Sequence, residues 1–267
     1  MMLPPPDSEL RASVVVPARN EAALIEACLE ALANQQSAAS EEYEVLLVLD
    51  RCTDDTEVRA RSVAERHPNF RLSFLQGPGL GSGHARRLGM ELACARLLGL
   101  GRPGGLVCST DADTIVAPDW LTAQLEAASL GAVAIGGRIE LTDDGALPEN
   151  IARWHKERGR FRQEELASSS GKAEHWQFSG ASLALTAAVY CEVGGLEPLN
   201  SLEDEHLEAV LRDRGVPIDR LLSVRVTTSA RLVGRAEKGL AHDLARISHQ
   251  PSAVSKNSKP EAKPSQE

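Results

Sequence analysis

Aromatic residues are scarce in this 267-residue chain: phenylalanine, tyrosine and tryptophan together make up 3%. That is too few for the stacking platform of a single-strand nucleic-acid binder. Basic residues are also the minority, 29 against 38 acidic ones, for a formal charge of −9. A global basic surface for nucleic acid or anionic lipid is therefore excluded. Cysteine occurs five times, at Cys28, Cys52, Cys94, Cys108 and Cys191, an odd count with no CxxC pair. Neither a zinc knuckle nor a disulfide framework is indicated, and free thiols point to a reducing, cytoplasmic compartment. No uncharged apolar run reaches the 18 or so residues of a transmembrane helix. The proline-rich, acidic N-terminus has neither the basic nor the apolar region of a signal peptide. Peripheral contact with a membrane surface stays open. The nucleophile elbow GxSxG, the zinc motif HExxH and both glycine-rich nucleotide fingerprints are missing as well.

What is present is an ordinary globular balance, 42% hydrophobic and 25% charged. The length suits one large α/β domain or two small ones. From Ala12 onward, short apolar runs alternate with helical spacing. Strands are expected at 13–16, 44–49, 71–75, 105–109 and 133–139. Helices are expected at 21–35, from Thr53-Asp54-Asp55 toward Glu65, at 84–98 and after Pro118. The second half is less regular: a charged helix over 148–167, a strand over 177–185, short helices over 186–193 and 203–214, and a strand or hairpin over 218–226. Residues 1–11 read as a flexible lead, 12–250 as a single domain, and 251–267, rich in Ser, Lys, Pro and Glu, as a disordered tail. Alternating strands and helices predict an α/β fold whose central sheet is mostly parallel and flanked by helices. Ligands of such sheets bind beyond the carboxyl ends of the strands. The clusters Arg19-Asn20-Glu21, Asp50-Arg51 and Asp111 to Asp113 all fall just after a strand.

Ser109-Thr110-Asp111-Ala112-Asp113 carries two carboxylates two residues apart at a sheet edge. That pattern suits a hard divalent cation sharing its shell with phosphate oxygens, and equally an Asx turn before a helix. Glu203-Asp204-Glu205 opens a helix, where a carboxylate can act as a general base or simply complement the macrodipole. Gly79 to Gly83 precedes a helix whose first turn bears Arg86 and Arg87, either a diphosphate contact or a solvated face. Arg231 and Arg235 follow a late strand and could neutralise a diphosphate. His242 is a further candidate metal ligand or a plain surface residue.

Taken in order, these pieces resemble glycosyltransferase family 2, whose members have the GT-A fold. The family's Pro-x-x-Asn-Glu is matched by Pro17-Ala18-Arg19-Asn20-Glu21. Its Asp-Asp-Gly-Ser-Thr-Asp is matched by Leu49-Asp50-Arg51-Cys52-Thr53-Asp54. Its Ala-Arg-Asn is matched by Ala85-Arg86-Arg87. The DxD is Asp111-Ala112-Asp113, and the late Gly-Gly and Glu-Asp are Gly194-Gly195 and Glu203-Asp204. The similarity spans about Val14 to Asp213. It implies a GT-A fold with a nucleotide-sugar half over about 12–115 and an acceptor half over about 116–250. It implies that Pro17, Ala18, Arg19 and Glu21 line the first nucleotide loop and that Asp50 contacts the base. It also implies that Asp111 and Ala112 lie by the ribose and that Asp113, with Asp111, holds Mg²⁺ or Mn²⁺. Asp204 would be the general base, with Glu203 beside it, in a transfer of one sugar from a UDP- or GDP-sugar to an acceptor hydroxyl with inversion. The departures are Leu49, Arg51-Cys52, Arg87 and Glu205-His206; Arg51 brings a positive charge near the nucleotide. The QxxRW motif of processive synthases is absent, which fits transfer of a single sugar. Competing readings are a retaining transferase on the same fold, a sugar-1-phosphate nucleotidyltransferase, and a non-catalytic nucleotide-sugar-binding protein. The nucleotidyltransferase is disfavoured because its glycine-rich loop belongs where Pro17 to Glu21 stand. The acceptor would meet residues near Trp176 to Ser182 and the helix from Asn150. Acceptor identity and oligomeric state are not written in these motifs.

Overall fold

The computed structural model describes residues 3–142, 172–199 and 201–231, together with 153, 157, 159, 160 and 166. The described elements are β1 (Ala12–Ala18), α1 (Ile25–Ala33), β2 (Tyr43–Leu49), α2 (Thr56–Arg66), β3 (Leu72–Gln76), α3 (Ser82–Gly99), β4 (Leu106–Ser109), β5 (Thr114–Val116), α4 (Trp120–Ser129), β6 (Ala134–Leu141), β7 (Leu183–Thr186), α5 (Ala187–Glu192), α6 (Glu203–Asp213) and β8 (Asp219–Thr228). The eight strands form one sheet in the order β3-β2-β1-β4-β7-β6-β8-β5. The first four strands are parallel to one another, and β6 is parallel to β8. β7 runs antiparallel to both of its neighbours, and β5 runs antiparallel to β8.

β1 and β2 are buried along their whole length, as expected for strands covered on both faces. Successive side chains serve opposite faces. Val14, Val16, Val45, Leu47 and Leu49 join Leu29, Leu32, Ala60, Val63, Trp120 and Leu121, the layer made by α1, α2 and α4. Val15, Leu46 and Val48 join Ala85, Met90, Leu97, Tyr190, Leu207 and Leu211 from α3, α5 and α6. Each fully buried aliphatic side chain contributes roughly 1.5–3 kcal/mol. α3 comes close to β1 because Gly89 lacks a side chain: a Cβ there would lie 2.4 Å from a Val15 methyl.

The chain runs β1-β2-β3 toward one edge and then returns to place β4 on the other side of β1. This reversal opens a crevice at the carboxyl ends of β1 and β4, the topological switch point where α/β sheets take ligands. The turns Pro17 to Glu21 and Thr110 to Asp113 flank it.

Three local differences from the sequence expectation have physical causes. α1 begins at Ile25, not Glu21, because the preceding backbone is held elsewhere: Glu21 N donates to Thr56 Oγ1 at 2.7 Å and Ala22 N to Asp54 Oδ2 at 3.1 Å. The start of α2 agrees with expectation: within Thr53-Asp54-Asp55, Asp54 Oδ1 accepts from the Thr56 amide at 3.1 Å. The strand expected over 177–185 is confined to Leu183–Thr186, because Ser182 N turns back onto Ser179 O at 2.8 Å. β5 was not anticipated; three residues with Ile115 exposed carry almost no periodic signal. The helix expected over 148–167 and the tail over 251–267 lie largely or wholly outside the described residues.

Candidate active site

Arg86 is the organising residue of the crevice. It sits on the first turns of α3, and only 4% of its surface is exposed. Its guanidinium donates to Ser109 Oγ at 2.5 Å, Gly180 O at 3.0 Å, Asp111 Oδ1 at 2.7 Å and Glu203 Oε1 at 3.1 Å. One side chain thus ties the end of β4, the turn before β7 and the start of α6 together. Gly180 has no room for a side chain, since a Cβ would lie 2.6 Å from Arg86 Cζ. Burial works against the Arg86 charge, but the Asp111 and Glu203 carboxylates beside it hold the guanidinium above its ordinary pKa. Arg86 therefore serves as a buried counter-ion, with its donors directed at protein acceptors.

Asp204, next to Glu203, faces the same turn. Its Oδ2 accepts from Ser179 Oγ at 2.7 Å and from Gly180 N at 2.9 Å, and its Oδ1 accepts from Glu205 N at 2.9 Å. The residue before the pair, Leu202, has φ 63° and so lies in the left-handed region. A β-carbon makes that conformation costly, and such strain concentrates at functional sites.

On the other flank of the crevice, Arg231 grips Glu21 with two hydrogen bonds of 2.9 Å and also reaches Asp113 Oδ2 at 2.9 Å. Burial pushes the Asp113 carboxyl up to about 6, assisted by the Asp111 and Glu21 charges and opposed by Arg231. Beneath them, Cys28 Sγ donates to Asp111 O at 3.4 Å. Burial raises that thiol strongly, with Asp113 and Asp111 adding to it, so it is inert as a nucleophile. All five cysteines are free.

Asp50 ends the β2 turn almost fully buried, and its carboxylate accepts the backbone N–H groups of Gly79 and Gly81. It thereby shapes the glycine-rich loop before α3. Ala18 and Ala112 pack their methyls in the core, so toward the crevice they offer backbone only. Pro17 is buried within β1, and Arg19 is exposed just beyond it.

The structure therefore brings Glu21, Arg86, Asp111, Asp113, Glu203, Asp204 and Arg231 into one connected charge network. Pro17 and Ala18 close β1, and Asp50, Arg19 and Ala112 lie on the adjoining turns. Arg235 and His242 lie outside the described residues. Sequence reasoning placed Ser179 and Gly180 only within the broad stretch Trp176 to Ser182, and Ser109 only in the DxD segment, and missed that they hold Arg86 and Asp204. A Ser-Gly pair before a strand carries no signal for that task. Among the described residues, no three His, Cys, Asp or Glu side chains converge as a metal-binding group. The hard oxygen donors of Asp111 and Asp113 still fit a divalent cation that keeps only one or two protein carboxylates and takes phosphate and water for the rest. No helix among the described residues is long and apolar enough to cross a membrane.

Comparison with known proteins agrees with this layout. Glycosyltransferase AglE of Haloferax volcanii is 30% identical over 131 residues, 49% of this chain and 40% of that protein. Among solved structures, the mannosyltransferase PcManGT from Pyrobaculum calidifontis, in complex with GDP-Man and Mn²⁺, superposes with a TM-score of 0.64 at 22% identity. The match covers 84% of this chain and 59% of that one. S. aureus TarS 1-349 in complex with UDP-GlcNAc gives a TM-score of 0.63 at 16% identity, covering 89% of this chain and 65% of that one. The chain thus spans less than two thirds of the length of these relatives, and the structural likeness shows the shared GT-A fold. The model of glycosyl transferase family 2 matches residues 13–183, well over half the sequence, and the chain belongs to that family.

Proposed function

We propose that this chain transfers one sugar from a nucleoside-diphosphate sugar to an acceptor hydroxyl, with inversion and with the help of a divalent cation. The observation that carries this reading is the Arg86 node. It ties Asp111 of the DxD turn and Glu203 of the Glu-Asp pair to one guanidinium, so the donor-side acids and Asp204 open on one crevice. Asp113, with Asp111, would hold Mg²⁺ or Mn²⁺; when bound, the cation supplies neutralising charge to the diphosphate leaving group. Arg231 would exchange its bond to Asp113 for contact with the diphosphate. Asp204 would accept the acceptor's hydroxyl proton as that oxygen forms its bond to the anomeric carbon and the bond to the diphosphate oxygen breaks. Ser179 and Gly180 hold one oxygen of Asp204 and so orient the carboxylate. The free thiols fit a reducing, cytoplasmic setting.

The test is Asp204→Asn. Donor binding, read by thermal shift with Mn²⁺, is expected to persist while turnover falls roughly 10²–10⁴-fold, the usual weight of a general base. Near wild-type turnover in this variant would remove Asp204 from the mechanism. The anomeric configuration of the product, read by NMR, separates inversion from retention.

A further inference from the structure

Asp50, the residue expected at the nucleobase, has both carboxylate oxygens engaged. Oδ1 accepts from Gly79 N and Oδ2 accepts from Gly81 N at 3.0 Å, and the residue is 1% exposed. Gly77 closes over it as well, since a Cβ there would fall 2.8 Å from Oδ1. This carboxylate builds the loop, so the edge of a base must be met by another side chain of the same turn.

Arg51 follows directly. It is exposed and has φ 54°, a left-handed conformation held at the position where the family pattern has glycine. Its stem crosses Gly79, where a Cβ would lie 2.1 Å from Nε. The missing side chain and positive φ of Gly79 thus make the space that Arg51 occupies. Its electrostatic situation is also unusual. Within the described residues 3–142 and 172–231, every arginine other than Arg19 and Arg51 engages a carboxylate or carbonyl group. In a chain of charge −9, Arg51 is thus an exposed guanidinium at the carboxyl edge of the sheet whose fork no carboxylate or carbonyl of the described residues occupies.

A guanidinium is a donor-only group, so it is satisfied only by acceptors. Its planar fork matches two adjacent acceptors, the arrangement of guanine O6 and N7. Adenine places an amino donor beside N7, and uracil has no N7 beside its O4. We infer that Arg51 reads the nucleobase of the donor and selects guanine. This rests on the nucleotide-sugar transferase reading and names the donor class within it.

The experiment is calorimetric titration of the full chain, in Mg²⁺, with GDP, UDP, CDP and ADP, repeated on Arg51→Gly and Arg51→Lys. Arg51→Gly relieves the left-handed conformation, so the variant is expected to fold. The wild type should prefer GDP over the other nucleotides by about 10- to 100-fold, the range of one bidentate base contact. Arg51→Gly should bring the four nucleotides within a few-fold of one another. Arg51→Lys should lose most of the preference, because an ammonium lacks the fork. Tight binding with another order of preference, or a GDP preference that survives in Arg51→Gly, would overturn the assignment and leave the transferase reading standing. Equal loss of affinity for all four in Arg51→Gly would also overturn it, since Arg51 would then contact phosphate. Failure of the wild type to bind any nucleotide would overturn the transferase reading, and this inference with it.

Discussion

Arg86 and Arg231 each hold a pair of acids at the same edge of the sheet, in different surroundings. The Arg86 side chain is 5% exposed and the Arg231 side chain 29%, although both of Arg231's acids, Glu21 and Asp113, are largely enclosed. Arg86 also donates to a serine hydroxyl and a backbone carbonyl, so three segments of chain depend on it. Among the described residues the Arg231 guanidinium bonds only to the side chains of Glu21 and Asp113, and it stands at the end of the described chain. Similar ion pairs thus serve different purposes. Where the charge is fully desolvated, removing one member strands the others, and the pair becomes part of the fold. Where water reaches, the pair can be exchanged for a ligand at little cost.

Four measurements sharpen or break this contrast. The largest effect is expected for Arg86→Met, which keeps volume but leaves Asp111 and Glu203 uncompensated. A loss of about 3–5 kcal/mol in denaturant unfolding is expected, and an unchanged midpoint would remove Arg86 from its structural role. His175 supplies the opposite case, a buried basic group kept neutral. Burial, with Arg220 and Arg138 nearby, lowers its pKa from 6.5 to about 4, against the hydrogen bond His175 Nε2 donates to Leu221 O and the charge of Glu174. The unfolded chain takes up a proton below about 6.5 while the native imidazole resists until about 4. Stability should therefore be unaffected by this group above that range. It should fall by about 3 kcal/mol as pH drops through it. His175→Gln should flatten that slope in chemical unfolding curves.

Gly180→Ala tests the tightness of the Arg86 node from the other side. The added methyl meets a guanidinium that cannot withdraw, and about 1–3 kcal/mol should be lost. Arg231→Ala should cost the fold about 1–2 kcal/mol, less than Arg86→Met because water reaches the arginine itself, though Glu21 and Asp113 stay largely enclosed. The same change should tighten Mn²⁺ binding to the nucleotide-free protein several-fold, because Glu21 and Asp113 lose their internal cation. Spin resonance of free Mn²⁺ reads this directly. A large loss of stability with no change in Mn²⁺ binding would make Arg231 a second Arg86.

Much of the parallel half was legible in the sequence. Strands buried on both faces appear as the unbroken apolar runs Val14-Val15-Val16 and Val45-Leu46-Leu47-Val48, and the polar clusters after them mark the ligand edge. Legibility failed where a residue's partner is distant in the chain. The short strand over 114–116 exists only because Thr227 and Thr228 lie alongside it. The irregular stretch before β7 exists because Ser179 and Gly180 serve Asp204 instead of a neighbouring strand.

The sequence by itself determined the α/β alternation and placed the acids Asp111 and Asp113 just after a strand and Glu203 and Asp204 at the start of a helix, since periodicity and motif spacing are local properties. Only the tertiary structure decided what the arginines do. Arg86 and Arg87 are adjacent and look alike in sequence. Yet Arg86 is buried among two acids and a carbonyl, while Arg87 pairs with Glu91 one turn along the exposed face of α3. The worth of a charge depends on the water and the counter-charges around it, and those are assembled from segments up to 210 residues apart in the chain.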